Sequence, residues 1–291
     1  MLDYVFLFIS VVLLAGNFST GKIYQIKEGS SNHAGFLNAF YTSIFTAALI
    51  LVINGMKLEI TLFSLIMAVL QTFFSTSYTI IGLKIMKYEK MALYIVFLMT
   101  GGMIIPYIWG LLFLGEAFSV LRTIGLIVIA VAVVITNGGI SKTIIKVMLM
   151  CVAAFILNGF VSVVSKEHQI SANAVSTNSF IILGNLTKLI IMPIILLIEG
   201  KGHPKMKISS VSMLSLAGGA AFGGISSMLM LLGAKNIDAS VLYPFTTGGT
   251  IIFTAHAGKA FFKEKITPRI AAGIIKCLVG TCMFIDFSIF I

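Results

Sequence analysis

Acidic side chains are scarce in this chain, and none stands at the centre of an apolar run. Aspartate and glutamate together number 10 in 291 residues, and all charged residues amount to 10%. A soluble domain carries roughly 25% charged residues, so the composition argues against a water-soluble fold. No polar stretch is long enough for a separate soluble domain. Cysteine is equally sparse. Cys151, Cys277 and Cys282 fall within apolar runs, spaced neither as a disulfide framework nor as metal ligands, and read as small core residues. The marks of an enzyme are missing too. There is no metal-binding histidine pair, no glycine loop leading into Lys-Ser/Thr, and no acid–base pair. The chain is therefore not expected to be an enzyme, and no catalytic residue or metal site is expected.

What is present is apolar length. Hydrophobic residues make up 58% of the chain, and the mean hydropathy is +1.07. The runs predict membrane spans at about 4–24, 35–54, 60–82, 91–114, 120–138, 145–165, 174–198, 208–232, 239–262 and 268–290, each roughly 20 residues, the length that crosses the hydrocarbon layer. They do not alternate with period two, which excludes a β-barrel. The run Tyr4–Ala15 is preceded only by Asp3, with no basic segment and no small-residue cleavage site, so it is expected to stay as the first span. The net charge of +10 lies in short connections between runs, so the lipid bilayer and not nucleic acid is the expected partner.

Those charges are unevenly placed. The odd-numbered connections hold most of the lysines, among them Lys84, Lys87, Lys90, Lys201, Lys205 and Lys207. The even-numbered ones hold Lys57, Arg122, Lys166 and Lys235. The positive-inside rule then places both termini outside the cytoplasm.

The two halves carry matched landmarks. Leu93-Tyr94 is followed by Gly101-Gly102, an apolar run, Leu114-Gly115-Glu116, Arg122 and Gly125. Leu242-Tyr243 is followed by Gly248-Gly249, an apolar run, Lys263-Glu264, Arg269 and Gly273. The glutamate-to-glycine spacing is the same in both copies. Five spans per half is an odd number, so homologous halves must enter the membrane from opposite sides. The expected architecture is an all-α membrane protein of ten helices in two inverted five-helix repeats, residues 1–140 and 141–291.

At these residues the chain resembles the drug/metabolite transporter superfamily, and within it the EamA-type members. The most specific pieces are Gly16-Asn17-Phe18 with Lys22, and Leu114-Gly115-Glu116 with Arg122 and Gly125. The second-half copy departs from the pattern, with Lys263 in place of a small residue before Glu264. The resemblance implies alternating-access movement of a small metabolite, without a cofactor. Members are commonly described with both termini inside, against the charge pattern. The superfamily includes exporters of amino acids and drugs and exchangers of nucleotide sugars and sugar phosphates, so fold membership does not choose a substrate. The expected setting is the cell membrane, of the bacterial inner-membrane kind, as a monomer or homodimer. The rival function is a lipid flippase or a subunit of a lipid-modifying system.

Polar side chains within spans are costly in lipid and should face the interior. Asn17 and Asn158 hold equivalent places in the first and sixth spans, Tyr94 and Tyr243 in the fourth and ninth. Gln71 and Tyr78 share one face of the third. Lys188 lies within the seventh span beside Asn185 and Thr187, where an ammonium would attract a carboxylate or phosphate. These seven residues are the candidate substrate site. Lys22 and Lys276 are candidates to add to the field of Lys188. His256 in the ninth span is the candidate proton carrier. The run Gly218 to Gly224 spaces small residues for close helix packing.

Overall fold

The computed structural model describes residues 2–283 apart from 90, 116–117, 122, 126, 129–141, 200–207, 234–236 and 238. Among these residues the regular structure is all helical, with no strand. Nine long helices follow in order: α1 (Leu2–Glu28), α2 (Asn32–Ile53), α3 (Leu62–Tyr88), α4 (Met91–Phe113), α5 (Lys142–Ile170), α6 (Thr177–Glu199), α7 (Ser210–Gly233), α8 (Ala239–Phe262) and α9 (Pro268–Cys282). The stretch expected as the fifth span is helical at 120–121, 123–125 and 127–128. Its remainder lies outside the described residues, as do the landmarks Glu116 and Arg122.

Among the described residues six stretches are long and apolar enough to cross a membrane: Asp3–Glu28, Asn32–Ile53, Leu62–Tyr88, Ile145–Ile170, Thr177–Ile198 and Ser210–Gly233. Shorter apolar stretches are Phe97–Phe113 and Ala271–Gly280. Several helices outrun the expected bounds. α3 continues to Tyr88 and α5 to Ile170, because backbone bonding runs on through the polar residues that follow the apolar run. Ser31 and Thr61 cap α2 and α3 by accepting from the amides of Ala34 and Ser64, donors that a first turn otherwise leaves unpaired. After α2 the chain reverses at Gly55, whose φ of +63 is open to glycine at no side-chain cost.

The burial pattern departs from that of a water-soluble protein. Leu62, Ile198 and Leu214 are each 75% exposed, whereas Ser64, Thr100, Thr250 and Thr254 are completely buried. An outer surface of leucine, isoleucine and phenylalanine over an interior rich in hydroxyls suits a hydrocarbon solvent. Inside, Tyr24, Leu83, Tyr94, Ile95, Leu98 and Met103 belong to the main apolar cluster.

Helices from the two halves interleave. α1 packs on α7 and α8, and α5 packs on α3 and α4. α2 meets α6 and α7, α3 meets α6, and α4 meets α8. α4 and α5 approach closely at Gly101. A Cβ built on Gly101 would stand 2.0 Å from Phe155 O and 2.6 Å from its Cα, so only a glycine lets these backbones meet.

Candidate functional site

The interleaved helices line a cavity of about 370 Å³, with residues from every helix from α1 to α8 on its wall. All seven residues expected at the substrate site line it: Asn17, Gln71, Tyr78, Tyr94, Asn158, Lys188 and Tyr243.

Five of them donate a hydrogen bond to another helix. Asn17 Nδ2 donates to Gly219 O at 2.7 Å. A Cβ on Gly223 would come within 2.7 Å of that same nitrogen, so the glycines of α7 make room for the amide. Asn158 Nδ2 donates to Leu98 O at 2.7 Å, over Gly102, where a Cβ would lie 2.5 Å away. Gln71 Nε2 donates to Ser165 Oγ at 2.8 Å, tying α3 to α5. Tyr243 OH donates to Ser162 O at 3.1 Å and Tyr94 OH to Tyr78 O at 3.3 Å. Phe18 meets the Tyr94 ring edge-on, at 6.4 Å and 84°. Each asparagine thus bonds a helix of the other half, Asn17 a carbonyl of α7 and Asn158 one of α4.

Lys188 differs from these. Its neighbours Asn185 and Thr187 bond carbonyls of their own helix, at Ile181 and Leu183. Among the described residues its ammonium has no hydrogen-bond or ion-pair partner, although the side chain reaches the cavity wall. Insertion scales put the cost of a central lysine at about 2.5–3.5 kcal/mol, and no protein carboxylate among the lining residues offsets it. Among the polar groups on the wall that the sequence did not single out are Asn38 of α2 and Thr76 of α3, whose buried Oγ1 has no partner among the described residues.

Three expectations place differently. His256 is exposed on α8, its Nδ1 2.9 Å from Ile252 O, and does not reach the cavity. Among the described residues the buried histidine is His168, with no exposed surface. Its ring lies between Phe63, at 6.0 Å, and Phe180, at 3.7 Å, with Nε2 2.9 Å from Ser64 Oγ. A span ending near 165 leaves His168 outside it, whereas α5 runs to Ile170 and carries the ring to the interior. Lys22 donates to Met86 O at 2.7 Å, and neither it nor Lys276 lines the cavity.

Polar ties close both ends of the bundle. At one end the α2–α3 turn holds the α5–α6 turn. Ser176 N donates to Glu59 Oε2 at 2.7 Å, Asn178 Nδ2 to Asn54 Oδ1 at 3.0 Å, and Thr61 Oγ1 to Asn173 O at 3.0 Å. At the other end Glu28 Oε1 accepts from Ser209 N at 3.0 Å and Ser212 Oγ at 2.5 Å, joining α1 to α7. No three histidine, cysteine, aspartate or glutamate side chains gather as a metal-binding group among the described residues.

No family model and no curated protein matches the chain. A crystal structure of a protein with 14% identity superposes with a TM-score of 0.70, over 97% of this chain and 95% of that one. At such identity the likeness is one of fold, and it extends over nearly the whole chain.

Proposed function

We propose that the chain is a multi-pass membrane transporter of the drug/metabolite transporter kind, carrying a small polar or amphipathic metabolite by alternating access. The observation that carries this reading is the unpartnered Lys188 ammonium on the wall of a central cavity. That cavity is lined by polar side chains from both halves. Its volume of about 370 Å³ falls within the roughly 300–1,000 Å³ of small-molecule sites.

The reciprocal packing supports ten spans in two inverted repeats, 1–140 and 141–291. Exchanging α1 with α5, α2 with α6, α3 with α7 and α4 with α8 maps the main interhelix contacts onto one another. A transporter of this design exposes its midplane site to each side in turn. The ties at Glu59–Ser176 and Glu28–Ser212 sit at the two ends, where gates would open and close.

The favoured cargo is a small zwitterion or anion with an apolar part, such as an amino acid, its carboxylate drawn to Lys188 and its apolar part toward Tyr94 and Tyr243. A phosphorylated metabolite ranks second. With no carboxylate on the cavity wall and His256 facing outward, facilitated diffusion or exchange is preferred to obligatory proton antiport. The chain acts in the cell membrane.

A thermal-shift screen of the purified protein tests the reading. Stabilisation by soluble carboxylates above that given by lipids is expected. Stabilisation by lipid substrates alone favours the rival flippase function.

A further inference from the structure

A second cleft, of about 570 Å³, opens at the end of the bundle where α1 and α3 finish and α5 begins. Lys84, Lys87 and Lys146 line it, with Tyr88 and Met150 beside them. Lys84 and Lys87 are three residues apart on α3 and so share a face, while Lys146 comes from α5 across the cleft. Among the described residues neither Lys84 nor Lys146 has a hydrogen-bond or ion-pair partner. Lys87 rests over the Tyr88 ring, its Nζ 5.4 Å from the centroid. Glu28 stands on the same rim, but its Oε1 is engaged by Ser209 and Ser212 of α7. The cleft therefore gathers three ammonium groups against one carboxylate that is already bonded elsewhere.

Position sharpens the reading. On the membrane reading, which this inference shares, the lysines lie at helix ends, level with lipid headgroups. Met150 is one helical turn inward from Lys146. From there the outward-facing Leu149, Val152 and Ile156 continue an apolar face along α5. We infer that this cleft binds the phosphate group of an anion at the membrane surface, with the ammonium groups of Lys84, Lys87 and Lys146 as its ligands. Strongly hydrated point charges on flexible stems suit a phosphate that several residues share. The same chemistry is offered by an anionic phospholipid headgroup and by free phosphate. The site is distinct from the central cavity.

The test separates the two sources and is independent of transport. Full-length protein is melted in phosphatidylcholine nanodiscs with and without phosphatidylglycerol, and separately in neutral detergent with inorganic phosphate. The variants are K84Q/K146Q and the charge-matched K259Q/K263Q, which alters exposed lysines at the end of α8. Melting in pure phosphatidylcholine checks that both fold, and the single Lys146→Gln serves if the double variant does not. Each cleft lysine removed should weaken phosphatidylglycerol binding about fivefold, with K259Q/K263Q close to wild type. Protection by phosphatidylglycerol alone identifies a lipid headgroup, and protection by phosphate in detergent identifies a soluble anion. If both variants respond to both probes as the wild type does, the site is disproved.

Discussion

Ser10 and Ser226 bond each other's backbone carbonyls reciprocally. Ser10 Oγ donates to Ser226 O at 2.9 Å and Ser226 Oγ to Ser10 O at 2.8 Å, with the two hydroxyl oxygens 3.0 Å apart. Both are buried in the interface of α1 with α7. Such interhelical bonds are worth about 0.6 kcal/mol each in a membrane bundle. Ser10→Ala and Ser226→Ala should each destabilise the protein by about that amount. The double variant should cost less than the sum, because each single change already breaks the shared contact. Denaturant titration of all four forms measures the coupling, and full additivity would contradict it.

Gly101 and Gly21 should answer differently to the same substitution. A Cβ at Gly101 meets the backbone of Phe155, whereas one at Gly21 meets nothing within 4 Å. Gly101→Ala must push α4 from α5 and should cost about 1–3 kcal/mol. Gly21→Ala should be neutral or stabilising by up to about 1 kcal/mol, since alanine is the better helix former. Melting temperatures of the two variants check the contrast.

The helices were legible because a run of apolar residues long enough to cross a bilayer has few other uses. Asn17, Asn158, Tyr94 and Tyr243 stood out as matched polar positions, and all four reach the cavity wall. Asn38 and Thr76 did not stand out. A buried hydroxyl can bond a carbonyl of its own helix, as Thr187 and Thr254 do, so its presence in the sequence says little about which way it faces. His168 was missed for another reason. The polar residues after Val164 look like a loop, yet they extend α5 by one more turn and carry the ring between Phe63 and Phe180.

Glu59 links one end of the bundle to pH. Hydrogen bonds from Ser176, the backbone amide first, hold its carboxyl below the ordinary value of 4.5. A lowered folded-state pKa means that the contribution is fully present above about pH 4.5 and is lost as pH falls through the folded value. Because Glu59 is fully solvated, the effect is small. Melting curves from pH 7 down to pH 3 should show an acid-dependent loss in the wild type that Glu59→Gln partly abolishes. Identical pH profiles would contradict this.

Topology has its own test. The lysine distribution over the connections predicts both termini outside the cytoplasm. Reporter domains that are active on only one side of the membrane, fused after Ile291, should be active when they require the outer side. Activity of a cytoplasm-dependent reporter instead would reverse the orientation.

Transport by Lys188→Met in proteoliposomes tests the central claim most directly. Methionine keeps most of the side-chain length and removes the ammonium, so folding and reconstitution should stay close to wild type. Carboxylate uptake by the wild type should exceed that of protein-free vesicles, and the variant should lose tenfold or more of it, about 1.4 kcal/mol of charge-assisted recognition. Uptake by the variant equal to that of the wild type, or a wild type that carries organic cations in preference to carboxylates, would contradict the account.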